Sequence, residues 1–145
     1  MSEETEGQEA EGDRHLDAMG MAVVSASADE VVIEWQVGSK HHQPMGIVHG
    51  GVHCSAIESA CSIGASISAM ERDAGKVAVG LENQTSFIRA VREGKLRAVA
   101  TPLTRGRRSQ LWQCEVRDEA QQLIASGRVR LMVVDVDAPI GNAPG

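Results

Sequence analysis

Between Lys40 and Arg72 the chain carries no lysine or arginine, and most of that gap, about residues 50–70, reads as one long helix. Its apolar positions are Val52, Ala56, Ile57, Ala60, Cys61, Ile63, Ile67 and Met70. They cover too wide an arc for a helix lying on a surface, which predicts a helix enclosed on several sides. At about 1.5 Å per residue it spans roughly 30 Å. Gly64, Ala65, Ser66 and Ser68 keep its second half slim, so another backbone can come close, and Asp73, Ala74 and Gly75 supply the stop.

The flanking segments are built to enclose such a helix. Residues 21–37 read as two short strands around a polar turn at 27–30. In the second, Val31, Ile33, Trp35 and Val37 alternate with Val32, Glu34 and Gln36, as one face of a strand requires. A loop over 38–48 holds Pro44 and Gly46. Four strand candidates then run over 76–91, 96–104, 110–117 and 123–134, joined by hairpin-sized connections. In the third, Trp112, Cys114 and Val116 oppose Gln113, Glu115 and Arg117, the half-buried alternation of an antiparallel sheet. The sum is an α+β fold, a curved antiparallel sheet of about six strands wrapped around one central helix. One helix covers one face of the sheet and leaves its edges open, so pairing of copies through an edge is expected.

The chain has 145 residues, 42% of them hydrophobic, enough for the core of one domain. Of its net charge of −6, all resides in residues 1–17, where seven acids face one base, and the remaining 13 acids and 13 bases cancel. Residues 1–17 are therefore expected to be a solvated tail, 18–134 the folded domain, and 135–145 a flexible extension. The lack of a long basic run argues against nucleic acid as a partner. No apolar run approaches the ~20 residues of a membrane span, and the opening residues lack the basic-then-apolar order of a signal peptide, so a cytoplasmic protein with no membrane partner is expected. Cys54, Cys61 and Cys114 form no C-x-x-C and read as reduced, buried thiols.

One residue does not fit the apolar helix. Glu58 has Cys54, Ser55, Cys61 and Ser62 as its helical neighbours, and none of them can neutralise it. A buried carboxylate without a partner is costly. Either Glu58 faces water or a distant arginine, or it is kept for chemistry as base or nucleophile. The preceding His49-Gly50-Gly51 favours chemistry, because two glycines at a helix start leave backbone N–H groups and the positive helix end open to an oxyanion. His41, His42, His49 and His53 invite a metal, but H-E-x-x-H is absent and no metal is expected. A Cys54 nucleophile is a further alternative, weakened by the usual inertness of thiols buried in helices. The basic run Arg105-Gly106-Arg107-Arg108-Ser109, with Arg89 and Arg92, is either a solvated hairpin tip or a phosphate clamp.

The stretch Gln43-Pro44-Met45-Gly46-Ile47-Val48-His49-Gly50-Gly51, with Glu58 and Ser62 after it, resembles the hotdog-fold acyl-CoA thioesterases. It is most similar to the branch with a catalytic Glu, the 4-hydroxybenzoyl-CoA thioesterases and the 1,4-dihydroxy-2-naphthoyl-CoA hydrolases of menaquinone synthesis. The likeness continues through Val79-Gly80-Leu81-Glu82, Arg89, Gly94, Pro102-Leu103, Gly106 and Gln110-Leu111-Trp112 to Asp118. The resemblance implies that Glu58 is nucleophile or general base toward the thioester carbonyl and that the Gly50 N–H polarises the carbonyl oxygen. It implies that Gln43 orients water or thioester, and that His49 and Ser62 line the acyl pocket. Gly51, Gly80, Phe87, Ile88, Arg89, Ala90, Thr104, Arg105, Gly106, Arg107, Arg108 and Ser109 would hold the substrate and its CoA. It also implies a homo-oligomer, a dimer of dimers with the site between subunits, and no cofactor beyond the CoA of the substrate. An Asp at the position of Glu58 and an Asn near that of Gln43 would instead mark the phenylacetyl-CoA type. A broad-specificity phenylacetyl or medium-chain thioesterase, a non-catalytic acyl-CoA or fatty-acid binding module and a dehydratase on the same fold are the competing expectations.

Overall fold

The structure, a computed structural model, describes residues 12–142. Six strands form one antiparallel sheet: β1 (Met21–Ala26), β2 (Val31–Gln36), β3 (Lys76–Phe87), β4 (Lys95–Arg105), β5 (Ser109–Arg117) and β6 (Leu123–Asp135). A short helix α1 (Arg14–Ala18) precedes them, and the long helix α2 (Gly50–Arg72) lies between β2 and β3. The strand order is β1-β2-β4-β5-β6-β3, which leaves β1 and β3 as the edges. Among the described residues no helix is long and apolar enough to cross a membrane.

The sheet curls around α2 because its inward positions are small or apolar in alternation. Leu96, Ala98 and Ala100 of β4, Trp112, Cys114 and Val116 of β5, and Val129 and Leu131 of β6 are all fully buried, together with Ala56, Ile57, Ala60, Cys61 and Ala65 of α2. The slim second half of the helix has a definite use. A β-carbon on Gly64 would stand 2.5 Å from the Trp112 ring, so the glycine lets the largest side chain of the core lie against helix backbone. A buried polar N–H is costly unless bonded, and here Trp112 Nε1 donates to Gln110 Oε1 at 2.8 Å, while Gln110 Nε2 donates to Ala65 O at 3.2 Å.

Two sequence expectations shift. Residues 14–17, read as part of the tail, belong to α1: Asp13 caps it by accepting from the Leu16 N–H at 3.0 Å, and Leu16 is buried. The rest of the expected tail, residues 1–11, and residues 143–145 of the expected extension lie outside the described residues. The strand expected over 76–91 stops at Phe87, because the N–H groups of Ile88 and Arg89 both turn to Ile124 O, at 2.8 and 3.1 Å, instead of continuing the ladder. The strand also carries a bulge between Gly80 and Glu82, which bears directly on the site.

Candidate active site

The loop before α2 is held in place by its own backbone and by two histidines. Gly46 sits at φ +74°, a turn conformation that glycine adopts without strain. The turn closes with Gly46 N–H on Gln43 O and Gln43 N–H on Ile47 O, both at 2.9 Å. The Gln43 side-chain oxygen accepts from the Met45 N–H, which leaves the NH₂ of the amide as the donor end. His41 is buried; its Nδ1 accepts from Gly38 N–H at 2.9 Å and its Nε2 donates to Met19 O at 2.7 Å. His42 Nε2 donates to Arg92 O at 2.7 Å, and Arg92 returns a bond to Met45 O at 3.0 Å. The loop is thereby laced to the segment that follows β3.

His49 caps α2, with Nδ1 accepting from Gly51 N–H at 2.8 Å. A β-carbon on Gly51 would meet that ring at 2.9 Å, and one on Gly50 would meet the Phe87 ring at 2.4 Å. Both glycines therefore admit side chains, and the Phe87 of the sequence reading is brought onto the helix start. The Gly50 N–H opens the helix and has no intrahelical carbonyl to bond, and no backbone partner for it exists among the described residues. It is a backbone donor at the positive end of a 23-residue helix, which is where a developing oxyanion is best accommodated.

Glu58 lies two turns further on, half-buried and in contact with β3. Its Oε1 occupies the space of a missing side chain, 2.1 Å from where a β-carbon on Gly80 would stand. Its Oε2 accepts from Asn83 Nδ2 at 3.3 Å. Among the described residues Glu58 makes no ion pair. The carboxylate is therefore neither paired with a cation nor left in open solvent. Ser62 follows one turn later, also half-buried.

The neighbouring thiols and His53 have different environments. Cys61 is held up in its titration by its hydrogen bond to Cys114, by burial, and by the charges of Cys114 and Glu58; such a thiol is not a nucleophile. Cys54, half-buried on the helix, gives its carbonyl to Asn83 at 3.1 Å. His53 is buried between Trp35 and Phe87, with ring centroids 6.3 and 6.1 Å away. Burial lowers its pKa to about 4. The four histidines thus face four separate sets of partners.

The basic hairpin lies elsewhere. Arg105, Gly106 and Arg107 join Arg72, Lys76 and Gln110 around a cavity of about 510 Å³ at the far end of α2, roughly 20 Å along the helix axis from Glu58 at 1.5 Å per residue. Arg105 Nη1 donates to Ala28 O at 2.8 Å and to the Asp29 carboxylate at 2.9 Å. Thr104, Arg107, Arg108 and Ser109 are exposed, as are Ile88, Arg89 and Ala90 beyond β3. Within one chain, then, Phe87 packs on Gly50 at the helix start and Glu58 packs on Gly80, about 12 Å further along the helix axis, and the hairpin joins neither pair. Sequence reasoning missed Asn83, whose partner across 25 residues leaves no local pattern. The bulge beside Gly80 was foreshadowed by an isolated glycine in a strand.

A long helix wrapped by a six-stranded sheet, with an open backbone donor at its start and an unpaired carboxylate on its body, defines a hotdog-fold protein of the thioesterase class. Residues 45–125 match the family model of the thioesterase superfamily. The chain is 36% identical over 113 residues to a Mycobacterium tuberculosis protein named only as a candidate esterase, covering 78% of this chain and 81% of that one. The structure of that protein superposes with a TM-score of 0.80 over 86% of this chain and 98% of the other, at 33% identity. A 1,4-dihydroxy-2-naphthoyl-CoA hydrolase of Listeria monocytogenes is 32% identical over 117 residues, covering 81% of this chain and 93% of that one. A Staphylococcus aureus thioesterase, solved as a Gln-to-Ala variant, gives a TM-score of 0.76 at 28% identity, over 83% of this chain and 98% of the other, and the same protein was also solved with a Glu-to-Ala change. The chain belongs to the thioesterase superfamily.

Proposed function

We propose that this protein hydrolyses an aryl- or hydroxyaryl-CoA thioester of the 1,4-dihydroxy-2-naphthoyl-CoA or 4-hydroxybenzoyl-CoA type. The observation that carries the reading is Glu58: a half-buried carboxylate with one oxygen tied to a neutral amide, the other over Gly80, and no cation beside it. A cation partner would offset the cost of taking a carboxylate out of water, and none is present among the described residues. Glu58 attacks the thioester carbonyl, or takes a proton from the water that does. The Gly50 N–H stabilises the oxyanion, a contribution of about 2.7 to 4 kcal/mol for a donor of this kind. The NH₂ of Gln43 orients water or thioester, while His49 and Ser62 line the acyl side.

Two comparisons support this reading. The Gln and Glu altered in the Staphylococcus aureus thioesterase stand fifteen positions apart, the spacing of Gln43 and Glu58. The Listeria relative is a hydrolase of an aryl-CoA by name. The separation of the basic hairpin from Glu58 suits a site between subunits, where Gly50 and Glu58 act on the acyl group and Arg107 and its neighbours hold the nucleotide. The active protein is then a homo-oligomer, a dimer of dimers, working in the cytoplasm with no cofactor beyond the CoA of its substrate.

The test is thiol release from benzoyl-, 4-hydroxybenzoyl-, 1,4-dihydroxy-2-naphthoyl- and fatty acyl-CoA. Preference for the aryl esters is expected. Preference for fatty acyl-CoA would move the protein to the broad-specificity type, and binding of CoA esters without thiol release would make it a binding module.

A further inference from the structure

This inference rests on the role of Glu58 proposed above and adds two residues to it. Asn83 and Thr85 stand two apart on β3 and so share a face of the strand. Thr85 Oγ1 donates to Asn83 Oδ1 at 2.6 Å. Asn83 Nδ2 in turn donates to two acceptors on α2, Cys54 O at 3.1 Å and Glu58 Oε2 at 3.3 Å. A primary amide has an acceptor end and a donor end, and here both ends are specified. Turned over, Asn83 would set its oxygen against a carbonyl and a carboxylate, neither of which can donate. The Thr85 hydroxyl is itself seated: a β-carbon on Gly127 of β6 would stand 2.5 Å from it, so that glycine makes the room it needs.

We infer that Asn83 and Thr85 are positioning residues for the reaction: Thr85 sets the amide, the amide ties Oε2 of Glu58, and Oε1 above Gly80 is left as the oxygen that acts on substrate or water. An amide suits this task where an arginine would not. It fixes one oxygen by a hydrogen bond without placing a positive charge against the carboxylate that must react. Misplacing a reacting group by about 1 Å can cost on the order of a hundredfold in rate, so the tether is expected to act on kcat and to leave KM nearly alone.

The test uses the full-length protein and whichever CoA ester of the panel above it turns over fastest, comparing Asn83→Asp, Thr85→Val and Thr85→Ser with Glu58→Gln and the wild type. Asn83→Asp keeps the shape but faces Glu58 with a second carboxylate. A like charge at hydrogen-bond distance raises the pH at which such a pair ionises, so its kcat is expected to fall about 10- to 100-fold and the acid limb of its pH profile to move to higher pH. Thr85→Val, nearly the same shape without the hydroxyl, is expected to lower kcat with KM within about twofold, while Thr85→Ser restores it. A merely structural role would lower melting temperature without moving the pH limb and would not separate Val from Ser. If Glu58→Gln is inactive but Asn83→Asp and Thr85→Val keep wild-type kcat and pH profile, the tether is wrong and the role of Glu58 stands. If Glu58→Gln remains active, both fall.

Discussion

Glu58 Oε1 lies 2.1 Å from the point where a β-carbon on Gly80 would stand. The helix carboxylate thus occupies the side-chain space that an edge strand leaves vacant, at a bulge in that strand. Gly80→Ala therefore forces the carboxylate away from its place. The expected result is a large loss of kcat at little cost in stability, because the displaced atoms are the far end of a flexible side chain. Steady-state kinetics beside thermal melting separate the two effects.

The start of α2 makes a second such prediction. A β-carbon on Gly50 would meet the Phe87 ring at 2.4 Å, and that ring is 58% exposed, so it can swing aside. Gly50→Ala is accordingly expected to fold but to lose activity, because the displaced ring and the new methyl crowd the open N–H. Adding Phe87→Ala relieves the clash and is expected to restore part of the lost stability, a non-additivity that a double-mutant cycle measures.

Much of this arrangement could be read before any coordinates. The wide apolar arc of residues 50–70 called for an enclosed helix, and the alternation of Trp112, Cys114 and Val116 called for an inward face; all three are fully buried. Gly50 and Glu58 stood out by residue type and position. Short α1 was hidden because its one buried anchor, Leu16, sits among acids that read as a tail, and its bond from His15 to Ser55 spans 40 residues. Asn83 and Thr85 were missed because a polar pair alternating on a strand reads as a solvent face. The distance from the basic hairpin to Glu58 follows from which end of α2 the β4–β5 turn reaches, a tertiary fact that no local spacing encodes.

His53 gives the fold a pH dependence. Burial lowers its pKa from 6.5 to about 4, so between these values the unfolded chain binds a proton that the folded chain does not. Stability then rises with pH: its contribution is full above about 6.5 and is lost as pH falls toward 4, by up to about 3 kcal/mol. Urea unfolding at pH 4.5 and 7 is expected to show this difference in the wild type and a smaller one in His53→Phe.

The core under Trp112 is expected to tolerate no added methyl. With a β-carbon on Gly64 only 2.5 Å from the ring, and that ring fully buried, Gly64→Ala should destabilise by about 1–3 kcal/mol. Chemical denaturation reads this as a lower midpoint at unchanged slope.

The hairpin carries its own prediction. Arg107 is exposed beside the cavity at the far end of α2, and in the proposed role of nucleotide clamp it would contribute uniform binding. Arg107→Ala should raise KM for CoA esters several-fold with kcat little changed, and should leave a truncated thioester lacking the nucleotide unaffected. An equal effect on both substrates would make Arg107 structural.

The most direct test is thiol release by Glu58→Gln beside the wild type, on the fastest CoA ester, with melting temperature recorded for both. Expected is a folded variant whose kcat is down by about a thousandfold or more, on the order of 4 kcal/mol of barrier. A folded variant within a few-fold of wild-type kcat would contradict it.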